Sequence, residues 1–122
     1  MATRGIRGAT TVERNDRDDI LHATRELLEV IVRLNGLRAE DIAYAWFTVT
    51  ADLDAEFPAF AAREIGWTEV PLMCGREIPV PGSLPRCIRL LIEWNTSKSQ
   101  HDVRHAFLHR AKELRPAWAV EV

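Results

Sequence analysis

The stretch RCIRLLIEWNT, Arg86 to Thr96, alternates without a break: Ile88, Leu90, Ile92 and Trp94 share one face, and Cys87, Arg89, Leu91 and Glu93 the other. A period of two over this length is the pattern of a strand with one buried face. The chain must therefore build a sheet and cover one side of it. Arg89 falls in mid-strand, on the face away from the apolar core. An amphipathic helix accompanies this strand: Ile20, Thr24, Leu27, Ile31 and Leu34 recur at spacings of three and four. Asn15 or Asp16 can cap its start, Asp18 and Asp19 lie in the first turn where the macrodipole favours negative charge, and Gly36 suits a left-handed C-cap.

The other elements follow from local chemistry. Thr3 to Val12, rich in β-branched residues but interrupted by Gly5 and Gly8, predicts a strand to which another backbone or a ligand comes close. Ile42 to Thr50, IAYAWFTVT, predicts a buried strand. Pro58 opens a short helix through Phe60 and Arg63 to Ile65, which Gly66 ends. Strands are expected at Glu69 to Cys74 and around Arg76 to Ile78. The prolines of Pro79 to Pro85, PVPGSLP, remove ladder donors and make a loop. Periodicity alone allows a helix over Gln100 to Leu114, carrying Val103, Phe107, Ala111 and Leu114.

A length of 122 residues suits one domain, 1–122, with one type of site and, after Pro116, a mobile tail at 117–122. Net charge of −2 and pI near 6.1 provide no basic field for nucleic acid or an anionic membrane. No apolar run approaches a membrane span and no signal peptide is evident, so a cytoplasmic location is expected. Cys74 and Cys87 make no disulfide framework, and without a CxxC they are not expected to bind zinc. His101, His105 and His109, spaced by four, would share a face of a continuous helix like metal ligands, but no acidic or cysteine partner completes a set. The four tryptophans read as core and interface packing. No metal or cofactor is expected.

Three features hold chemical interest: Arg7 in a glycine-interrupted strand, Arg89 in mid-strand, and Arg63 with Phe57 beside a proline-initiated turn. Any one arginine taken alone is ordinarily paired with a local carboxylate or solvated, and spacing does not bring the three together. The words themselves are more specific. RGIRGATTVE at Arg4 to Glu13, FPAFAAREIGW at Phe57 to Trp67, VPLMCGREIPVPGSLPRCIR at Val70 to Arg89, RHAFL at Arg104 to Leu108 and LRP at Leu114 to Pro116 resemble, in order, the blocks of the trimeric chorismate mutase family.

The resemblance implies an α+β fold, with a mixed sheet packed by one long helix and short helices, assembling as a trimeric pseudo-α/β barrel with chorismate bound between subunits. It implies substrate-binding roles for Arg7 and Arg89, and Glu77 as the carboxylate that accepts from the substrate hydroxyl. Cys74 resembles the thiol beside that hydroxyl. Phe57 and Arg63 are similar to residues given by the neighbouring subunit, and Leu114 and Arg115 to the segment at the site mouth. Phe107 replaces the usual tyrosine that bonds a substrate carboxylate, and Phe60 stands at a rim position that is often polar. The resemblance also replaces the helix at Gln100 to Leu114 with a short extended segment and tight turns.

Arginines and a carboxylate suit the expected reaction, the concerted rearrangement of chorismate to prephenate, in which a C–O bond breaks as a C–C bond forms and no nucleophile or proton transfer is needed. Arg89 is expected at the ether oxygen and one carboxylate, Arg7 at the other carboxylate, and Glu77 opposite, where the ring fragment turns relatively positive. Cys87 reads as packing. Two rival functions are a non-catalytic trimer that senses a dianion and an imine deaminase of the same architecture.

Overall fold

The computed structural model describes residues 2–122. The apolar stripe read at Ile20 to Leu34 forms the one long helix, α1 (Arg17–Asn35). Asp16, not Asn15, caps it: its carboxylate accepts from the Asp19 N–H at 3.1 Å. Asn15 instead ties down the loop at Asp54, donating to the Asp54 carboxylate at 2.7 Å and accepting from the Asp54 and Ala55 N–H groups. Gly36 ends the helix at φ 64, in the left-handed region expected of it.

Five strands form one sheet: β1 (Ala2–Thr11), β2 (Ile42–Val49), β3 (Leu72–Arg76), β4 (Cys87–Thr96) and β5 (Ala106–Phe107), in the order β3-β2-β4-β1-β5. The alternating strand, β4, is central, antiparallel to β1 and β2; β2–β3 and β1–β5 are parallel. Leu90, Ile92 and Trp94 pack with Ile6, Phe47 and the stripe Leu27, Leu28 and Ile31 of α1, and Ile88 packs with Ile20 and Ala23 nearer the start of the helix, so the main core lies between one sheet face and α1. A second helix, α2 (Ala59–Glu64), sits against α1 and β3 with Ala61 and Ala62 wholly buried. Pro58 occupies its N-cap at φ −60, the angle its ring imposes.

Two expectations change. The separate strands at Glu69 to Cys74 and Arg76 to Ile78 are one: Pro71 has no N–H to give, and pairing begins with its carbonyl accepting from Ala45 at 3.0 Å. It closes where the Glu77 N–H donates to the Val49 carbonyl at 2.9 Å, ahead of Pro79. Gln100 to Leu114 is not a continuous helix. A 3-10 turn at Gln100–Asp102, β5, and a second turn at His109–Glu113 replace it, in line with the family resemblance. The Asn35 side chain, at the end of α1, brackets Arg104 through both its N–H and its carbonyl at 2.9 Å, and the Leu108 N–H bonds the Ala9 carbonyl at 2.9 Å. These long-range bonds pull the segment out beside β1. Among the described residues no helix is long and apolar enough to cross a membrane.

Candidate active site

Because β4 alternates, Arg89 points to the sheet face that α1 leaves open. Its neighbours there follow from register. Arg89 lies opposite Ala9 of β1 and Thr48 of β2, and Arg7, two residues before Ala9, shares the face. Thr48 also lies opposite Gly75 of β3, so Glu77, two residues on, returns to the same side. The strand order thus gathers residues that are far apart in the chain. Arg89 Nη2 stands 3.2 Å from Glu77 Oε1. The Thr48 hydroxyl donates to the other Glu77 oxygen, Oε2.

Arg89 is two-thirds buried at its side chain, and its Nε is buried without any hydrogen-bond partner. An unpartnered buried guanidinium N–H is costly, and it leaves Arg89 with an unsatisfied donor beside a carboxylate that is already engaged. Arg7 has its pKa pushed down by burial first, then by the Arg89 and Arg115 guanidiniums, against a smaller opposing effect of Glu77. Three cations and one anion thus face the same space, an electrostatic environment suited to a dianion.

Phe107, wholly buried, closes the floor beneath Arg7, whose Cζ lies 5.6 Å from the ring centroid. Phe107 packs with Ala9 and Ala111, and Leu114 and Trp118 lean on that cluster. Arg115 lies over Trp118, its Cζ 3.6 Å from the ring centroid. The chain end folds back here: the Val120 N–H bonds the Phe107 carbonyl at 3.1 Å.

Phe57, Arg63 and Cys74 form a separate group. Phe57 is largely exposed and meets Phe60 edge to face at 6.2 Å, while Arg63 lies over the Phe60 ring at 5.7 Å. Cys74 falls on the helix side of β3, opposite Phe47, and lines an open groove with Phe57, Pro58 and Val49. Burial raises its thiol pKa, against a smaller lowering by the Ala59 N–H. No hydrogen bond or ion pair among the described residues joins this group to Arg7, Glu77 or Arg89. Within one chain, then, Cys74 does not stand beside Glu77: alternation sends the two side chains to opposite faces. Cys87 is buried with its pKa pushed up to about 11, mainly by desolvation, a packed thiol as expected.

The sequence reading missed two residues. Thr48 was legible in principle, since the alternation of IAYAWFTVT puts it on the face of Trp46. His105 was not, because its contacts, to the Arg7 N–H and the Trp118 ring, are all tertiary. The three spaced histidines share no helix face, and no group of three potential metal-binding side chains occurs among the described residues.

Residues 3–118 match the family described as chorismate mutase type I. Chorismate mutase AroH of Thermus thermophilus is 54% identical over 114 residues, covering 93% of each chain, and that of Bacillus subtilis (strain 168) is 44% identical over 117 residues, covering 95% of this chain and 92% of the other. The structure of chorismate mutase from Clostridium thermocellum superposes with a TM-score of 0.88 at 51% identity, covering 89% of this chain and 97% of that one.

Proposed function

This chain belongs to the type I chorismate mutase family, and from that premise we propose that Arg7, Glu77 and Arg89 are the groups with which it rearranges chorismate to prephenate. It is an isomerase, a chorismate mutase of aromatic amino-acid biosynthesis. The observation that supports these roles best is the Arg89–Glu77 pair at 3.2 Å, with Arg89 Nε buried and unpartnered beside it.

Chorismate bears two carboxylates, and its rearrangement needs the enol side chain folded over the ring. Arg7 binds one carboxylate. Arg89 reaches the other carboxylate and the ether oxygen with its planar fork, which a single ammonium does not reproduce. As the C–O bond stretches, the oxygen gains negative charge and the ring fragment becomes relatively positive. Arg89 at one end and Glu77 at the other then bind more strongly in the transition state than in the ground state. Thr48 holds the Glu77 carboxylate in place. No bond to the protein forms, and no proton moves.

The working state is a homotrimer whose sites lie between subunits, with Phe57, Arg63 and Cys74 of one chain completing the Arg7, Glu77 and Arg89 half of the next. Two features support this. The two groups are unconnected within a chain, and Tyr44, Trp46, Met73 and Leu91 leave a partly exposed apolar surface on the same open sheet face. The chain acts as a single domain in the cytoplasm. Its end, 117–122, moves as a closure behind Arg115: Trp118 and the Val120 N–H bond to the Phe107 carbonyl hold its first part, and its last residues are tied by the exposed Lys112–Glu121 pair at 3.0 Å, of a kind worth about 0–1 kcal/mol.

The decay of chorismate absorbance tests the assignment. Glu77→Gln keeps an acceptor for Thr48 but loses the charge, so kcat should fall more than KM rises; an unchanged kcat removes Glu77 from the mechanism.

A further inference from the structure

Arg7 lies near the end of the β1–β5 pairing. That ladder begins at Gly8, opposite Ala106, so the Arg7 N–H points towards β5 where no backbone carbonyl receives it. A side chain takes that place: the N–H donates to His105 Nδ1 at 2.9 Å. The imidazole meets the Trp118 ring at a tilt of 38°, with 4.0 Å between ring centroids, and Arg115 lies over that same indole. One ring therefore touches both the backbone of a carboxylate-binding arginine and the aromatic platform of the chain end.

We propose that His105 is a positioning residue for Arg7 and for the Trp118–Arg115 platform, and that it performs this role only as the neutral imidazole with its proton on Nε2. The tautomer follows from the bond. A backbone N–H only donates, so Nδ1 must present a lone pair. Protonating Nδ1 turns the acceptor into a donor, sets two N–H groups against each other and adds a fourth cation to the space already shared by Arg7, Arg89 and Arg115. The charged groups facing the ring are Arg7 of β1 and Arg115 of the chain end, both of which oppose a positive imidazole. Burial, the larger effect, acts in the same direction, so the pKa of His105 lies below the ordinary 6.5 and the neutral form holds at neutral pH. Asn35 supports the arrangement by fixing the adjacent Arg104 backbone at 2.9 Å.

The inference rests on the reading of Arg7 as a carboxylate anchor. A carboxylate is charged throughout the reaction, so misplacing Arg7 weakens ground state and transition state alike and appears in KM rather than kcat. His105→Leu removes the acceptor, and should raise KM for chorismate about tenfold while kcat changes by less than about threefold. His105→Asn places a carbonyl oxygen close to the position of Nδ1 and should recover most of that loss. The parent KM should rise as pH falls through the lowered pKa of His105, as Nδ1 takes its proton, and this rise should vanish in His105→Asn, whose amide does not titrate.

A parent KM that stays flat through the titration of the His105 imidazole, followed by its NMR shift, or a rise that persists unchanged in the asparagine variant, overturns the proposal. Because the parent profile requires no substitution, the test survives even if the leucine variant fails to fold. Arg7→Ala separates the two readings. If it leaves KM unchanged, the anchoring role of Arg7 itself fails. If it raises KM while the His105 variants and the pH profile show nothing, only the positioning role fails.

Discussion

Arg89 has one terminal nitrogen on Glu77 and a buried Nε with nothing to bond, and that asymmetry decides what a substitution there does. Arg89→Lys keeps a positive charge near Glu77 but offers no second donor at the angle of the fork. kcat should fall by roughly 10²–10³, the usual loss when one donor to a developing oxyanion is removed. A lysine variant within a few-fold of the parent in a chorismate assay would show that charge alone suffices. Phe107 has the opposite character. It lies beneath Arg7, buried against Ala9 and Ala111, and lacks the hydroxyl that the family's tyrosine carries. Phe107→Tyr should tighten binding by about 0.5–1.5 kcal/mol through one hydrogen bond to a carboxylate, seen as a lower KM with little change in kcat. A large rise in kcat instead would place the phenol at the charge that develops in the transition state.

At the scale of elements, the close approach of β1 to α1 sets where Arg7 stands. A Cβ at Gly8 would lie 2.8 Å from Ile31 Cδ1 and 3.2 Å from Leu90 Cδ1, so the glycine in the RGIRG block is a packing requirement between strand and helix. Gly8→Ala should cost about 1–3 kcal/mol, the usual range for overpacking. Ile31→Val removes the clashing methyl, so the double variant should be less destabilised than the two losses added together. Additive losses in denaturant unfolding would place the strain elsewhere. The sequence made α1, β4 and the Gly36 C-cap of α1 legible because each is decided within a few residues, and it narrowed the N-cap to Asn15 or Asp16. Gln100 to Leu114 was different: its local period fits a helix, and only bonds to Asn35 and Ala9, far away in the chain, select the extended path. The site shows the same limit. Arg89 could be placed on its face from β4 alone, but its meeting with Glu77 depends on β3 and β4 both flanking β2, which no spacing reveals. The five word blocks supplied that link through resemblance, not geometry.

At the scale of the whole molecule, the question is whether the two halves of a site belong to one chain or two. Phe57 and Arg63 lie with α2, while Arg7 and Glu77 lie on the open sheet face, and neither group is bonded to the other within the chain. In a closed ring of three, every interface joins the Arg7 half of one subunit to the Arg63 half of its neighbour. At a chorismate concentration near the parental KM, Arg7→Ala and Arg63→Ala proteins should each be nearly inactive, since all their sites carry the same defect and bind substrate poorly. After random exchange of equal amounts, an interface is intact when its first subunit keeps Arg7 and its second keeps Arg63, which happens at about one interface in four. At that concentration the mixture should therefore regain about a quarter of the parental rate, with a KM like the parent's for this fraction because the regained sites lack neither arginine. The yield also discriminates. Sites within single chains regain nothing, because every chain bears one lesion, and the same holds for mixtures whose subunits have not exchanged. Mass spectrometry of isotope-labelled partners verifies exchange, and no recovery in a fully exchanged mixture would confine each site to one chain.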